Sequence, residues 1–445
     1  MAFLTDCWEQ IPECFRDDLL EGVTEYLAHR YGCLQPSNNW AYIEQPDAEK
    51  LALNILENLE QYQDHWHHNR AASKAIKNCA HVIKKTQDAS RLVYFAMSFA
   101  SLMEESSISG DSVDLLTSGI NMRRGNTAEA LMILANQLEA SGVQWPDSLP
   151  AALRLYAGDK YPAIRALMLR RMPYFQGRFP ELGWELFDLA LKESAEGLWA
   201  IAEPCLYYAY HQNFELIAPR LVQLYREGYG KDYETWGRIS ALAAFLKHID
   251  FSTFIEELDA VETADAWRGA ASVWTHHSNI QRYKEQCFVG LEAGLSAENP
   301  HAIIIAHEFT NLFRESTPLF IVPIELIQRC FNLLESEADS KRNDIFGFDT
   351  WLNAISVHEP IYALEAVEIY LDFVRRTKVY VHDYKNRLTQ LLTRLFAQAE
   401  ELEESDRGAM LKRVVILQDA LLALGVSGVN DCLLYTSDAA DDTCC

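Results

Sequence analysis

The chain reads as all-α. Apolar residues recur at helical spacing through nearly every segment. Alternating apolar and polar runs, the mark of a half-buried strand, are nearly absent. Capping residues and helix stops fall where the periodicity begins and ends. Residues 47–62 are the first clear case: Asp47 is placed to cap the N-terminus, and Leu51, Ile55, Leu59 and Tyr62 share one face. At the other end Met410, Val414, Leu417, Leu421 and Leu424 form an equally regular stripe, with Ser405 or Asp406 as cap and Gly425 at the stop. About a dozen more amphipathic stretches lie between them. The β-branched runs 303–305 and 379–381 are read as parts of helices.

Residues 1–145 form a helical N-terminal region with its own loop, Gln35-Pro-Ser-Asn-Asn-Trp40, and a second break near 106–110. Within it, Arg70, Lys74, Lys77, His81 and Lys84 stand at offsets of 0, 4, 7, 11 and 14, so they fall on one helical stripe. Ala72, Ile76, Cys79 and Ile83 take the opposite face and are expected to pack inward. An acidic chain thus sets a basic helix face beside several histidines. Two readings follow: a docking surface for phosphate, nucleic acid or an acidic partner segment, or a solvated face that pairs with acids on neighbouring helices. These five residues are the candidate partner-binding set.

Many helices of similar length joined by short turns suggest a bundle or a solenoid. The length favours the solenoid, because a single core stops growing near ~250–300 residues. Pro162 and Pro204 are 42 apart, and Pro180 and Pro219 are 39 apart, near the roughly 40–47-residue period of HEAT and armadillo repeats. The run Asp159-Lys-Tyr-Pro162-Ala-Ile164-Arg165-Ala166-Leu-Met168 resembles the Asp/Pro/Val-Arg pattern of a HEAT-repeat helix pair. Its partner helix is expected from Pro180 through Trp184, Phe187 and Leu191, and the next pair at 197–211 and 213–227, kinked at Pro204 and Pro219. The match covers about 159–230 and is degenerate from there to 425.

From 159 onward the chain also resembles the helical C-terminal scaffolds of large bacterial signal-transduction NTPases, including those linked to phage defence. Gly-Trp helix starts and Ala-Leu-x-x-x-Glu-x-Tyr-Leu helices such as residues 363–371 carry this likeness. The resemblance implies that residues 146–431 are a HEAT-like α-solenoid serving as a scaffold or sensor for a protein partner, within a larger multidomain assembly that supplies any catalysis.

Motifs for chemistry are sparse. Gly228-Tyr-Gly230-Lys231 has the end of a phosphate loop, but Tyr225 stands where its first glycine belongs and Asp232 replaces the Ser or Thr. It reads as a helix stop, with Tyr233 or Thr235 opening the next helix. His307-Glu308 lacks the second histidine of a zinc-protease helix. In Asp64-His65-Trp66-His67-His68, Asp64 and His67 or His68 have the spacing of a helical metal pair, while His65 does not join them. A polar helix end is the plain reading; an enzyme site assembled around these histidines is the alternative. His276-His277 reads as the end of a helix. Trp184, Trp199, Trp236, Trp267, Trp274 and Trp351 sit on apolar stripes and are expected in the core, with an aromatic peptide groove as the other option. No catalytic, metal or cofactor residue is assigned.

The formal charge is −25, which repels nucleic acid and anionic membranes at long range. A nucleic-acid-binding repeat protein is therefore the third functional reading, and it requires a local basic surface. No run of about 20 apolar residues is present. Seven cysteines before residue 432 are scattered with no C-x-x-C pair, which points to a reducing, cytoplasmic setting. Finally, Cys432-Leu-Leu-Tyr-Thr-Ser-Asp-Ala-Ala-Asp-Asp442 resembles a sequencing adapter translated in frame, as at the ends of truncated metagenomic genes. Residues 432–445 are accordingly expected to be non-native and to make no systematic packing contacts.

Overall fold

A computed structural model describes residues 7–31, 48–67, 69–103, 114–193, 195–314, 320–336, 345–379, 381, 383–401 and 404–426. The expected cap Asp47, the loop at 35–40, the break at 106–110, His68 and the 432–445 tail lie outside them. The described residues form 22 α-helices and three short 3-10 turns, with no strand. None of these helices is long and apolar enough to cross a membrane. Contacts divide the chain into two compact units, Met1–Asn213 with Arg226–Asp232, and Phe214–Tyr225 with Tyr233–Cys445.

The first unit holds α1 (Glu13–Tyr31), α2 (Ala48–Gln61), α3 (Gln63–Trp66), α4 (Arg70–Ala80), α5 (Thr86–Ser98), α6 (Leu115–Asn121), α7 (Arg123–Ala140), α8 (Ser148–Ala157), α9 (Pro162–Arg178), α10 (Pro180–Leu191) and α11 (Leu198–Ala209). Local chemistry sets their starts. Asn69 accepts from the amides of Ala71 and Ala72 to cap α4, and Asp114 accepts from Leu116 to cap α6. Pro162 and Pro180 occupy the first positions of α9 and α10, where a missing N–H is harmless.

Helices two or three places apart then pack side by side: α1 on α4, α4 on α7, α7 on α9, α9 on α11, and likewise α2 on α5, α5 on α8, α8 on α10. Their side chains pair in step. Asn69 donates to Asp17, Lys74 pairs with Glu21, and Asn78 donates to Thr24, so α1 and α4 run in the same direction. Asn126 donates to Ser73, and Glu129 meets Lys77, which gives α4 and α7 the same sense. Ile164, Leu167, Trp184 and Phe187 are buried, as their spacing predicts. At one point the backbones nearly touch: a Cβ added to Gly125 would lie 2.0 Å from the Gly119 carbonyl oxygen.

The second unit takes most of α12 (Phe214–Glu227) and α13 (Asp232–Phe245), then α14 (Phe251–Ala260), α15 (Ala264–Trp274), α16 (His277–Gly294), α17 (Ala302–Phe309), α18 (Ile324–Glu335), α19 (Phe348–Ile355), α20 (Pro360–Thr377), α21 (Arg387–Glu401) and α22 (Glu404–Ala423). The same alternation recurs, with α15 on α17, α19 on α21, α18 on α20 and α20 on α22. Tyr362 donates to the Val322 carbonyl and Arg376 meets Glu335 at 3.0 Å, so α18 and α20 are parallel. Between α13 and α15, a Cβ on Gly237 would stand 2.0 Å from Ala266 O, and one on Gly269 would stand 2.0 Å from Glu234 O. The six tryptophans named above are all core residues.

Helix ends follow their local signals. The Gly425 amide bonds to Leu422 O and the Val426 amide to Leu421 O, with Gly425 at φ 75°, which closes α22 as a Schellman motif. Three expectations are corrected. α22 already includes Glu404, so Ser405 and Asp406 lie within it instead of capping it. Val379 and Val381 lie outside helices, because α20 stops at Thr377 and Lys378 turns left-handed (φ 56°). His276 and His277 open α16 rather than close α15: His276 is its N-cap residue, and His277 is buried with Nε2 3.0 Å from the Leu312 carbonyl oxygen.

Candidate functional site

The predicted basic stripe is only partly a surface. α4 ends at Ala80, so His81 caps the helix and Lys84 lies beyond it. Lys74 is ion-paired with Glu21. Lys77 Nζ lies 3.5 Å from Glu129 Oε2, and the other oxygen of that buried carboxylate is 3.2 Å from Arg171 on α9. Arg70 is exposed and donates to Asn121 Oδ1 at 2.6 Å. Lys84 is exposed, and its amide donates to Glu49. His81 is buried, 3% exposed. Burial, and then the charges of Arg171, Lys77 and His29, push its pKa down to about 4. A continuous cationic face of five residues on α4 is thus not what forms; acids on α1 and α7 take up Lys74 and Lys77. The inward face is as expected, with Ala72, Ile76, Cys79 and Ile83 all buried.

The cationic surplus sits one layer further along. Helices α4, α7 and α9 carry nine Lys and Arg residues and two acids, Glu129 and Glu139, in a chain where Asp and Glu outnumber Lys and Arg by 64 to 39. Two of these arginines are internal. Arg124 pairs with buried Asp159 and donates to Leu102 O, while Arg165 donates to Ala190 O at 2.8 Å and Glu193 O at 2.5 Å. Burial raises the Asp159 pKa, against the Tyr161 amide and the Arg124 charge. The Asp and Arg of the repeat-like pattern therefore tie α9 to its neighbours.

Arg170, Tyr174 and Arg178 recur every four residues on the exposed side of α9. The Arg178 guanidinium stands 5.3 Å from the Tyr174 ring centroid. On α11 the thiol of Cys205 lies 3.8 Å from Leu169 O, and Tyr207 and Tyr208 follow it, 47% and 67% exposed.

No family model, curated protein or solved structure matches this chain.

His65 and His67 have different surroundings. His65 turns toward α1, 3.4 Å from Asp17 Oδ1 and 3.9 Å from Glu13 Oε1, and stacks edge-on against Trp66. His67 instead lines a small pocket of about 80 Å³ with Leu59, Trp66, Tyr94, Phe95 and Phe99. Among the described residues no group of three or more His, Cys, Asp or Glu is placed to hold a metal.

Gly228 to Lys231 joins α12 to α13, with Gly230 at φ 48°. Asp232 is fully buried and accepts from the amides of Ala200 and Tyr229. Those of Gly197 and Trp199 also lower its pKa, although burial raises it more. The N-terminus of α11, where a helix could hold a phosphate, is thus filled by the chain's own carboxylate. In the second unit Glu234 pairs with Arg238 and Asp265 with Arg268, and Glu308 accepts from Asn311.

Sequence reasoning missed the α9 stripe. The signal was present: residues 162–178 hold four arginines and no acid.

Proposed function

We propose that the chain is a HEAT-like α-solenoid that recognises a protein partner and acts as a scaffold or sensor in a larger bacterial assembly. The observation that carries this reading is the in-step pairing of next-but-one helices, as in α18 and α20, where Tyr362 meets Val322 and Arg376 meets Glu335. Helices that pack on their next-but-one neighbour in the same sense generate two layers, and one layer presents its successive helices as a continuous surface. Residues 146–431 are taken as the solenoid and 1–145 as a helical region leading into it. The location is the cytoplasm, which the scattered free cysteines support.

Catalysis needs preorganised groups converging on one point, whereas His65 meets Asp17 and His67 lines a separate pocket. The purified chain, assayed for ATP, phosphodiester and peptide hydrolysis with added magnesium or zinc, is expected to show no turnover. Turnover that disappears on His65→Ala or His67→Ala would replace the scaffold reading with the enzyme one.

A further inference from the structure

We infer that the face formed by α9 and its neighbours binds an acidic peptide segment of the partner. This rests on the recognition reading above and adds the chemistry of what is recognised. Arg170, Tyr174 and Arg178 form an exposed stripe on α9, and neither arginine has a carboxylate partner among the described residues. Arg171 flanks the stripe and shares the single Glu129 carboxylate with Lys77, so one negative charge serves two cations.

A second observation comes from α11. Cys205 touches Leu169, so Tyr207 and Tyr208 lie within about 5 Å of that level along the helix axis. Exposed tyrosine and arginine together make the composition in which interface hot spots are enriched. The tyrosines supply stiff apolar area, and the guanidiniums supply bidentate donors for carboxylates.

The size and setting favour a short peptide over nucleic acid. From Arg170 to Arg178 the stripe runs about 12 Å. On one side of the stripe α11 packs against α9, roughly 8–10 Å away. The stripe accommodates roughly four extended residues. Outside this face the chain is more acidic than its net −25 indicates, so a longer polyanion would run into repulsion.

The test is fluorescence anisotropy of the full chain with a labelled peptide (Glu-Glu-Tyr-Leu)₃. Binding is expected, weakening at least about tenfold between 50 and 300 mM salt as exposed charges are screened. Arg170→Glu with Arg178→Glu should weaken it at least about tenfold and Tyr174→Ala about threefold, the scale of single hot-spot contacts. Arg375→Glu on α20, and melting curves of all variants, should be unchanged within error. Absence of peptide binding at 100-fold molar excess, or binding indifferent to the double variant, overturns the inference. Tighter binding of a 12-nucleotide single strand overturns it in favour of nucleic acid. Binding of (Lys-Lys-Tyr-Leu)₃ in its place also overturns it, yet leaves the recognition reading standing, which only turnover in the hydrolysis assays removes.

Discussion

Arg171 Nη2 stands 3.2 Å from Glu129 Oε1, and this contact joins α9 to α7. The second oxygen of the carboxylate takes Lys77 from α4 on the other side. A buried acid thus links three neighbouring helices. Replacing it leaves two cations facing each other across a gap it had neutralised. Glu129→Gln should cost about 2 kcal/mol, below the usual figure for breaking a buried pair because Arg171 is partly solvated. A shift in urea midpoint equivalent to less than ~0.5 kcal/mol would show the pair to be incidental.

His81 gives a pH dependence with a definite sign. Its folded pKa, about 4, lies below the ordinary 6.5. The neutral form is therefore favoured in the fold. The stability it protects is complete above ~6.5 and is lost as pH falls toward 4, because the unfolded chain takes up the proton first. The loss amounts to roughly 3 kcal/mol at most. Many carboxylates titrate in the same window, so the measurement is a difference: wild type should lose more stability than His81→Gln between pH 7 and 4.5. Parallel curves would contradict the assignment.

The glycine crossing between α13 and α15 makes a steric prediction. Gly237→Ala or Gly269→Ala puts a methyl group 2.0 Å from a backbone oxygen that cannot swing away. Each should destabilise by about 2 kcal/mol or more, although alanine is the better helix former by about 1 kcal/mol. Gly22→Ala on α1 meets no atom within 4 Å and should be neutral or slightly stabilising. Thermal melts of the three variants decide the matter.

Thiol reactivity should follow burial. Burial drives the pKa of Cys79 and Cys287 up to about 12, and raises those of Cys205 and Cys330 as well, while Cys14 is exposed. Peptide mapping after brief iodoacetamide treatment should find Cys14 alkylated and these four protected until the chain is unfolded. Labelling of Cys205 in the native chain would mean that α9 and α11 part readily.

The signals legible in the sequence were local ones. Pro162 and Pro180 opened helices, Gly425 closed one, and the tryptophans went to the core, because capping and periodicity act over a few residues. Pairing was not legible. Periodicity put Lys74 and Lys77 on one stripe, but their partners Glu21 and Glu129 lie about fifty residues away on other helices. Nothing nearby in sequence says which face a neighbour will cover. The His276 and His277 boundary failed for a related reason: the burial that places His277 in a new helix comes from its contact with Leu312. The α9 arginines were visible as composition, but their exposure depended on what packed against α9.

Hydrogen exchange resolved by segment tests the repeat-array account most directly. Leu391→Ala with Leu395→Ala hollows out α21, where both side chains are fully buried, at a cost of about 2–5 kcal/mol each. In an array, each pair of helices depends on its neighbours alone. Protection should therefore fall across α19–α22 and remain near its wild-type level in α14–α16, which belong to the same compact unit. An equal loss of protection in α14–α16 would mean that the unit has one cooperative core, and the solenoid reading would be wrong.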